Sequence, residues 1–408
     1  MAEKVVVGMS GGVDSSVAAY LLQLQGYDVV GVTMQAWDPD VPLQSGRDDR
    51  CCSAEAADDA RRVCLRLGIP YYVVNYRELF KERVIEPFVQ EYLNARTPNP
   101  CLVCNRYVKW ESLTKKACEL GAKYVATGHY ARPVRLAGGR YTVRNAVTAA
   151  KDQTYALCRL TQEQLACTLM PLGDYYKEDV RRIAKEAGIP VADKPDSEDV
   201  CFIHDGDYAG FVDRNAGRRL PPPGRFVYKD GTDLGPHKGI THYTVGQRKG
   251  LGLSMGHSVF VTKIDAATGE VQIGEADDCM RDTLVCRDLN FMAISPGELP
   301  VGATMGAVPA THADTGTAPA IPEDLMGGTI PDPASGGTAA QQGRRITGRI
   351  RYSAGAVPCT IRRTGTDEIT ARFCKKVRAI TPGQAAVFYE DDHILLSGTI
   401  AAGLNSEE

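Results

Sequence analysis

Residues 5–22 read VVVGMSGGVDSSVAAYLL: an apolar strand, a glycine turn, and then a run of helical spacing that ends at Gly26. The pair Gly11-Gly12 lets the backbone turn sharply and come close to a ligand. The N–H groups of the first helical turn and the hydroxyls of Ser10, Ser15 and Ser16 then point at whatever lies there, and the helix dipole favours an anion. No Gly-Lys-Ser/Thr follows, so this is not a Walker A loop. Outward from it, DVVGVTM (28–34) reads as the next strand and SAEAADDARRVCLRLGIP (53–70) as a helix, capped by Ser53 and ended at Gly68. YYVVN (71–75) and KYVATGHY (123–130) read as further strands. KEDVRRIAKEAGIP (177–190) reads as a helix with Val180, Ile183, Ala184 and Ala187 inward. Repeated βα units of this size imply a parallel sheet with helices on both faces.

After about residue 205 the pattern changes to Gly- and Pro-rich turns and then to short alternating runs such as SVFVTKID, EVQIG, CTIRR, EITARF and AAVFYEDDHILLSGTIA. These predict a small antiparallel barrel or sandwich, with hairpin turns at DAATGE and EDDH. Residues 301–343 carry no Lys, Arg or aromatic residue and are expected to form a flexible loop without a catalytic role. A chain of 408 residues, 43% apolar and 24% charged, has the composition of a globular protein of two or three domains. The N-terminal apolar run breaks at Gly8, too short for a signal-peptide core or a membrane span, so a cytosolic protein without a membrane partner is expected.

The net charge of −3 makes no general case for nucleic acid, but residues 344–378 hold ten Lys or Arg against Asp367 and Glu368. That stretch is either a phosphate-facing surface or the solvated face of a β domain. Of the 13 cysteines, Cys64, Cys118, Cys158, Cys167 and Cys359 sit among apolar neighbours and read as small core residues. TPNPCLVCNRYVKW (97–110) is different. Its Cys101-x-x-Cys104 fits a metal clip, a redox pair or a catalytic thiol with a neighbour.

The loop SGGVDSS resembles the PP-loop of the ATP pyrophosphatase superfamily. Beyond it, GMSGGVDSS (8–16), PNPCLVCNRYVKW (98–110), ATGHYAR (126–132), KDQTYAL (151–157), DSEDVCFI (196–203), YTVGQRKGLG (243–252), RIRY (349–352) and ITPGQAAVFY (380–389) occur in an order that resembles the tRNA-specific 2-thiouridylases, the MnmA family. The resemblance runs from residue 5 to about 400. It implies an α/β PP-loop (HUP-like) parallel-sheet N-terminal domain over 1–205, a small central tRNA-binding domain over 206–272 and a C-terminal antiparallel β-barrel over 273–408. It implies ATP held by Gly8, Met9, Ser10, Gly11, Gly12, Val13, Asp14 and Ser15, with Met34 at the adenine, Gly128 at a strand end, and Mg2+ sharing the phosphate charge. Asp14 would either orient the loop or help hold the metal.

The same resemblance implies that sulfur replaces the 2-oxygen of a wobble uridine in tRNA. Cys201 would receive a persulfide from a donor protein, a cysteine desulfurase or relay protein, and Cys104 would act with it. Both thiols then belong in a partly exposed, electropositive pocket, to which Arg106 and Lys109 are candidate contributors. Asn99, Pro100 and Cys101 would line the target base. His129, Lys151, Asp152 and Gln153, and Arg351, Tyr352 and Gln384 in the barrel, would sit near the RNA, and Arg248-Lys249 suit backbone contacts.

Many members have Asp where this chain has Cys101. Cys101, Cys104 and Cys201 could therefore hold a [4Fe–4S] cluster that delivers sulfide, as an alternative to the persulfide. Zinc is disfavoured, because Cys51-Cys52 supplies no second Cys-x-x-Cys. Two other classes share the loop: an ATP-dependent amidoligase or argininosuccinate-type synthetase, which needs no essential cysteine, and a non-catalytic RNA-binding protein.

Overall fold

The computed structural model describes residues 2–36, 54–196, 200–203, 206–306 and 344–406. Strand β1 (Lys4–Gly8) is central in a sheet and buries Val5, Val6 and Val7 completely, as a strand covered on both faces must. It pairs in parallel with β2 (Asp28–Gln35) on one side and β4 (Tyr124–Ala126) on the other. β3 (Tyr71–Asn75) closes one edge. The chain then leaves this sheet as a hairpin, β5 (Ala131–Arg135) and β6 (Tyr141–Asn145), and returns to the other edge as β7 (Thr168–Leu169), in the order β3-β2-β1-β4-β7.

Alternation along β1 sends its valines to opposite faces. Val5 and Val7 meet helix α1 (Val13–Leu24), helix α2 (Ala54–Leu67) and the inner face of the helix Lys177–Glu186 in one core. Val6 joins Trp110 and Leu113 on the other face. That second core runs on into Ala385, Val387, Tyr389 and Ile394. α1 ends before Gly26 and α2 before Gly68, both at positive φ (88° and 68°). Ser53, expected to cap α2, and Cys51-Cys52 lie outside the described residues.

The central sheet is ordered β10-β11-β8-β9, from β8 (Arg225–Tyr228), β9 (Asp233–Pro236), β10 (Phe260–Ile264) and β11 (Val271–Gly274). Its 265–270 turn is the expected hairpin, with Asp265 accepting from the Ala267 and Thr268 N–H groups. The helix Tyr208–Ala216 bridges outward from it. Asp213 holds Thr241 and His242, while Phe211 packs on Phe88 and Phe202.

The barrel comprises β12 (Met280–Phe291), β14 (Ile346–Arg349), β15 (Val357–Gly365), β16 (Glu368–Arg378), β17 (Ala385–Glu390) and β18 (His393–Leu404), with the short β13 (Thr304–Met305) paired to β15. It closes because β12 pairs with both β16 and β18. The β5–β6 hairpin extends the same sheet through His393 and Arg144. The barrel is thus bonded to the N-terminal part of the chain through a sheet as well as a core, which fixes one against the other.

Three expectations need correction. The 301–343 stretch starts inside structure, since Thr304 and Met305 pair with Arg362 and Ile361, and its remainder, 307–343, lies outside the described residues. Cys118 is exposed and Cys167 half-buried, whereas Cys64, Cys158 and Cys359 are core residues as expected. The basic stretch is not one surface. Neighbouring residues on β15 point to opposite sides, so Arg362 is exposed while Arg363 is buried and donates to the carbonyls of Pro296, Leu299, Gly365 and Thr366.

Candidate active site

The phosphate loop is shaped by two close approaches. Gly11 has φ +70°, and a Cβ there would lie 2.3 Å from the Ala56 carbonyl oxygen. A Cβ on Gly128 would lie 2.5 Å from the Ser15 nitrogen, so the end of β4 rests directly on the first turn of α1. Gly12 caps α1 without a side-chain bond, which leaves the first-turn N–H groups without a side-chain acceptor. Ser15 Oγ accepts from the Ser10 N–H at 3.1 Å, and Ser16 Oγ donates to the Gly12 carbonyl at 2.8 Å. Gly8 ends β1. Met9 is buried, with its carbonyl bonded by Thr33 Oγ1 at 2.7 Å, and Val13 and Met34 are buried beside the loop strands. The first-turn N–H groups and serine hydroxyls thus form a cradle for an anion, in a loop where Gly11 and Gly128 leave no room for a side chain, and it fits the phosphates of ATP.

Asp14 is engaged with the protein. Its Oδ1 accepts from the Tyr130 hydroxyl at 2.7 Å and from Lys177 Nζ at 2.6 Å. Burial, and then the Asp14 charge, push the Tyr130 hydroxyl well above its ordinary pKa, so Tyr130 stays a donor. Lys177 is 8% exposed and also meets Asp196 at 2.7 Å; Arg181 and Lys151 meet Asp196 at 3.1 and 2.9 Å. Burial alone would raise the Asp196 pKa, but hydrogen bonds from Lys177 and Lys151 overcome it and hold the carboxyl below its usual range. Of the two roles open to Asp14, these bonds support orienting the loop. Sequence reading missed Tyr130, Lys177 and Asp196 because they come from three separate segments that only the fold brings onto Asp14 and onto one another.

The cysteines come from separate elements. Asn99 Oδ1 accepts the Cys101 N–H at 3.1 Å and starts a short helix, Pro100–Val103, whose Pro100 is buried. A π-helical stretch, Cys104–Trp110, follows directly, a rare geometry that recurs at functional sites. It ends on Trp110, wholly buried and bonded to Thr168 at 2.7 Å. Cys104 and Cys201 are both half-buried against one apolar cluster that contains Phe80, Phe88, Val108 and Phe202. Phe202 anchors the second segment, with its ring edge-on to Phe80 at 5.9 Å and to Phe88 at 5.1 Å. Cys101 is exposed.

The expected RNA-facing residues divide into two groups. Gln384 donates its amide to the Thr97 and Pro98 carbonyls at 2.8 and 3.4 Å, and the Thr97 N–H donates to the Pro382 carbonyl, so the barrel grips the Pro-Asn-Pro segment. Asp152 is buried and accepts from Ala146 and Thr154, Gln153 accepts from the Tyr130 N–H, and His129 shares a bond with Thr127 at 2.8 Å beside Trp110. Tyr352, 46% exposed, donates to the Asp152 carbonyl, and Arg351 to the Arg378 carbonyl. Arg248 and Lys249 lie on an exposed turn. A cavity of about 370 Å3 lies between Asn99, Pro100, Arg106 and Tyr107 on one side and Gly383 and Thr399 on the other. The Arg106 guanidinium stacks 4.9 Å from the Tyr107 ring centre.

Among the described residues no three His, Cys, Asp or Glu side chains gather as a metal site. Among those residues Cys101, Cys104 and Cys201 do not form such a group, so the structure lends no support to a [4Fe–4S] cluster. Mg2+ brought with the nucleotide would be held mainly by the phosphates and water, and needs no such protein cage. No helix among the described residues is long and apolar enough to cross a membrane.

Comparison with known proteins assigns first the class and then the family. Residues 3–205 match the family described as tRNA methyl transferase HUP domain, 210–275 its PRC-barrel domain and 331–400 the aminomethyltransferase beta-barrel domain. The tRNA-specific 2-thiouridylase MnmA of Lachnoclostridium phytofermentans is 47% identical over 398 residues, covering 98% of this chain and 99% of that one. That of Clostridioides difficile strain 630 is 44% identical over 407 residues, covering 99% of each. The chain belongs to the tRNA-specific 2-thiouridylase family. Among solved structures, a 4-thiouridine synthetase–RNA complex with bound ATP shares 20% identity over 49% of this chain and 45% of its own, at a TM-score of 0.30, too distant to carry an argument.

Proposed function

We propose that this protein is a tRNA-uridine 2-sulfurtransferase that activates the 2-oxygen of a wobble uridine with ATP and replaces it with sulfur carried as a persulfide on Cys201. The observation that carries the reading is the packing of Cys104 and Cys201, far apart in sequence, on one apolar cluster in a chain that also builds an anion cradle at the start of α1. Membership of the family supports the choice of tRNA as substrate.

The chemistry divides among these residues. The uridine O2 attacks the α-phosphorus of ATP and pyrophosphate leaves, with its charge met by the N–H groups and hydroxyls of residues 8–16. Mg2+ bound with the nucleotide shares that charge. The outer sulfur of the Cys201 persulfide attacks C2, and AMP departs with the former O2. The Cys104 thiolate then attacks the Cys201 sulfur and breaks its bond to the transferred sulfur. 2-Thiouridine is released, a Cys104–Cys201 disulfide remains, and an external thiol reduces it before the next cycle. A cysteine desulfurase or a relay protein reloads Cys201. Asn99, Pro100 and Cys101 line the target base, splayed out of its single-stranded loop. His129, Lys151, Asp152, Gln153, Arg351, Tyr352 and Gln384 form or support the RNA face.

The test is nucleoside mass spectrometry after incubation with tRNA, ATP and a desulfurase. We expect 2-thiouridine at the wobble position with tRNA-dependent AMP and pyrophosphate release. Full turnover by Cys104→Ser or Cys201→Ser would refute the persulfide route, and ATP-dependent ligation without 2-thiouridine would favour an amidoligase. Loss of activity on removal of iron would favour cluster-bound sulfide.

A further inference from the structure

A lysine is out of place at the start of a helix. Lys177 is the first residue of the helix Lys177–Glu186, where the macrodipole disfavours a cation, and it is nearly buried there. Burying an ammonium is costly unless it is paired. Lys177 is held by two carboxylates: Asp14 Oδ1 at 2.6 Å, in the phosphate loop, and Asp196 Oδ1 at 2.7 Å. Asp196 lies five positions before Cys201 in the sequence, and Phe202, immediately after Cys201, is fixed in the aromatic cluster. Along the chain Cys201 thus falls between Asp196 and Phe202, and Asp196 is tied through the Lys177 ammonium to the loop expected to hold ATP.

Among the described residues, the cations of Lys177, Arg181 and Lys151 gather on the carboxylates of Asp14 and Asp196. A triphosphate arriving at the first turn of α1 would compete with Asp14 for Lys177. Any shift in that balance acts on Asp196, because the same ammonium serves both carboxylates. We propose that Lys177 is a positioning residue that links occupancy of the phosphate loop to the placement of Cys201, so that the sulfur-bearing thiol is set for transfer when nucleotide is bound. The inference rests on the sulfur-transfer reading above and adds to it the element that joins activation to transfer.

The experiment uses the full chain. Cys201 alkylation by iodoacetamide is followed by mass spectrometry with and without a non-hydrolysable ATP analogue, in wild type and in Lys177→Met, Lys177→Arg and Asp196→Asn. Nucleotide affinity is measured by calorimetry on the same samples. Nucleotide is expected to change the wild-type alkylation rate about fivefold or more, the lower range of ordinary coupling between sites. Lys177→Met and Asp196→Asn should bring that ratio close to one, and Lys177→Arg should preserve it. Asp196→Asn should do so with nucleotide affinity close to wild type, which a merely structural loss would not produce; it also decides the matter if Lys177→Met fails to fold. An unchanged ratio in Asp196→Asn, or a wild-type ratio of one, overturns the proposal. 2-Thiouridine formation by wild type is assayed in parallel. Its absence defeats the sulfur-transfer reading itself, whereas its presence with unchanged ratios defeats only the role of Lys177.

Discussion

The phosphate loop draws on consecutive residues 8–16 and a glycine from the end of β4, whereas the cysteine site draws on the segments 97–104, 200–203 and 381–384 and on the helix Tyr208–Ala216. The first is made largely of backbone: N–H groups, and two glycines, Gly11 and Gly128, where a Cβ would strike main-chain atoms. The second is made of side chains held by side chains, with Phe202 and Phe211 fixing one thiol segment and Gln384 gripping the other. A backbone site fails when an atom is added to it. A side-chain site fails when one is taken away, and it also depends on supports that never touch the substrate.

The strongest way to break this comparison is to remove the sulfur carriers. Cys201→Ser and Cys104→Ser should each lower 2-thiouridine yield about 10³-fold or more, as expected when an obligatory nucleophile is lost. Being half-buried, they should leave nucleotide affinity and melting temperature nearly unchanged, as read by mass spectrometry, calorimetry and thermal unfolding.

Adding an atom to the loop should do the reverse. Gly128→Ala puts a Cβ 2.5 Å from the Ser15 nitrogen, and backbone cannot rotate out of the way. The KM for ATP should rise about 10- to 100-fold, roughly 1.4–2.7 kcal/mol of lost binding, while persulfide loading of Cys201 stays intact. An unaltered KM would mean that the end of β4 does not shape the cradle.

Gln384→Ala sharpens the comparison from the other side. It removes two hydrogen bonds to the Thr97 and Pro98 carbonyls without touching either thiol. We expect kcat/KM for tRNA to fall about tenfold, near the 1.4 kcal/mol that such bonds contribute, with the KM for ATP unchanged. The smallest effect belongs to Arg351→Ala, on the surface near Tyr352. It should reduce the slope of log affinity for tRNA against log salt by about one, with only a few-fold loss at low salt.

Much of the fold could be read locally because strand and helix periods are written into adjacent residues. β1 and the start of α1 are a valine run, two glycines and an amphipathic stretch, and no distant residue is needed to recognise them. Misreadings arose where orientation decides. Cys118 lies on the outer side of the helix Glu111–Glu119, although its neighbours in sequence are apolar. Arg362 and Arg363 carry equal charge but opposite fates, since one faces water and the other caps four carbonyls. Summing charge along 344–378 could not separate them.

The sequence alone determined the α/β class, the phosphate loop and the change to a β-rich C-terminal half, because each depends on contacts or periodicities within a few residues. Only the tertiary structure decided that Asp14 is taken up by Tyr130 and Lys177, 116 and 163 positions away, and that Cys104 and Cys201 share one cluster while Cys101 is exposed. A local pattern sets the direction of a chain. Which side chains meet across it is set by how the sheets and cores close, and for this site the chemistry lies in those meetings.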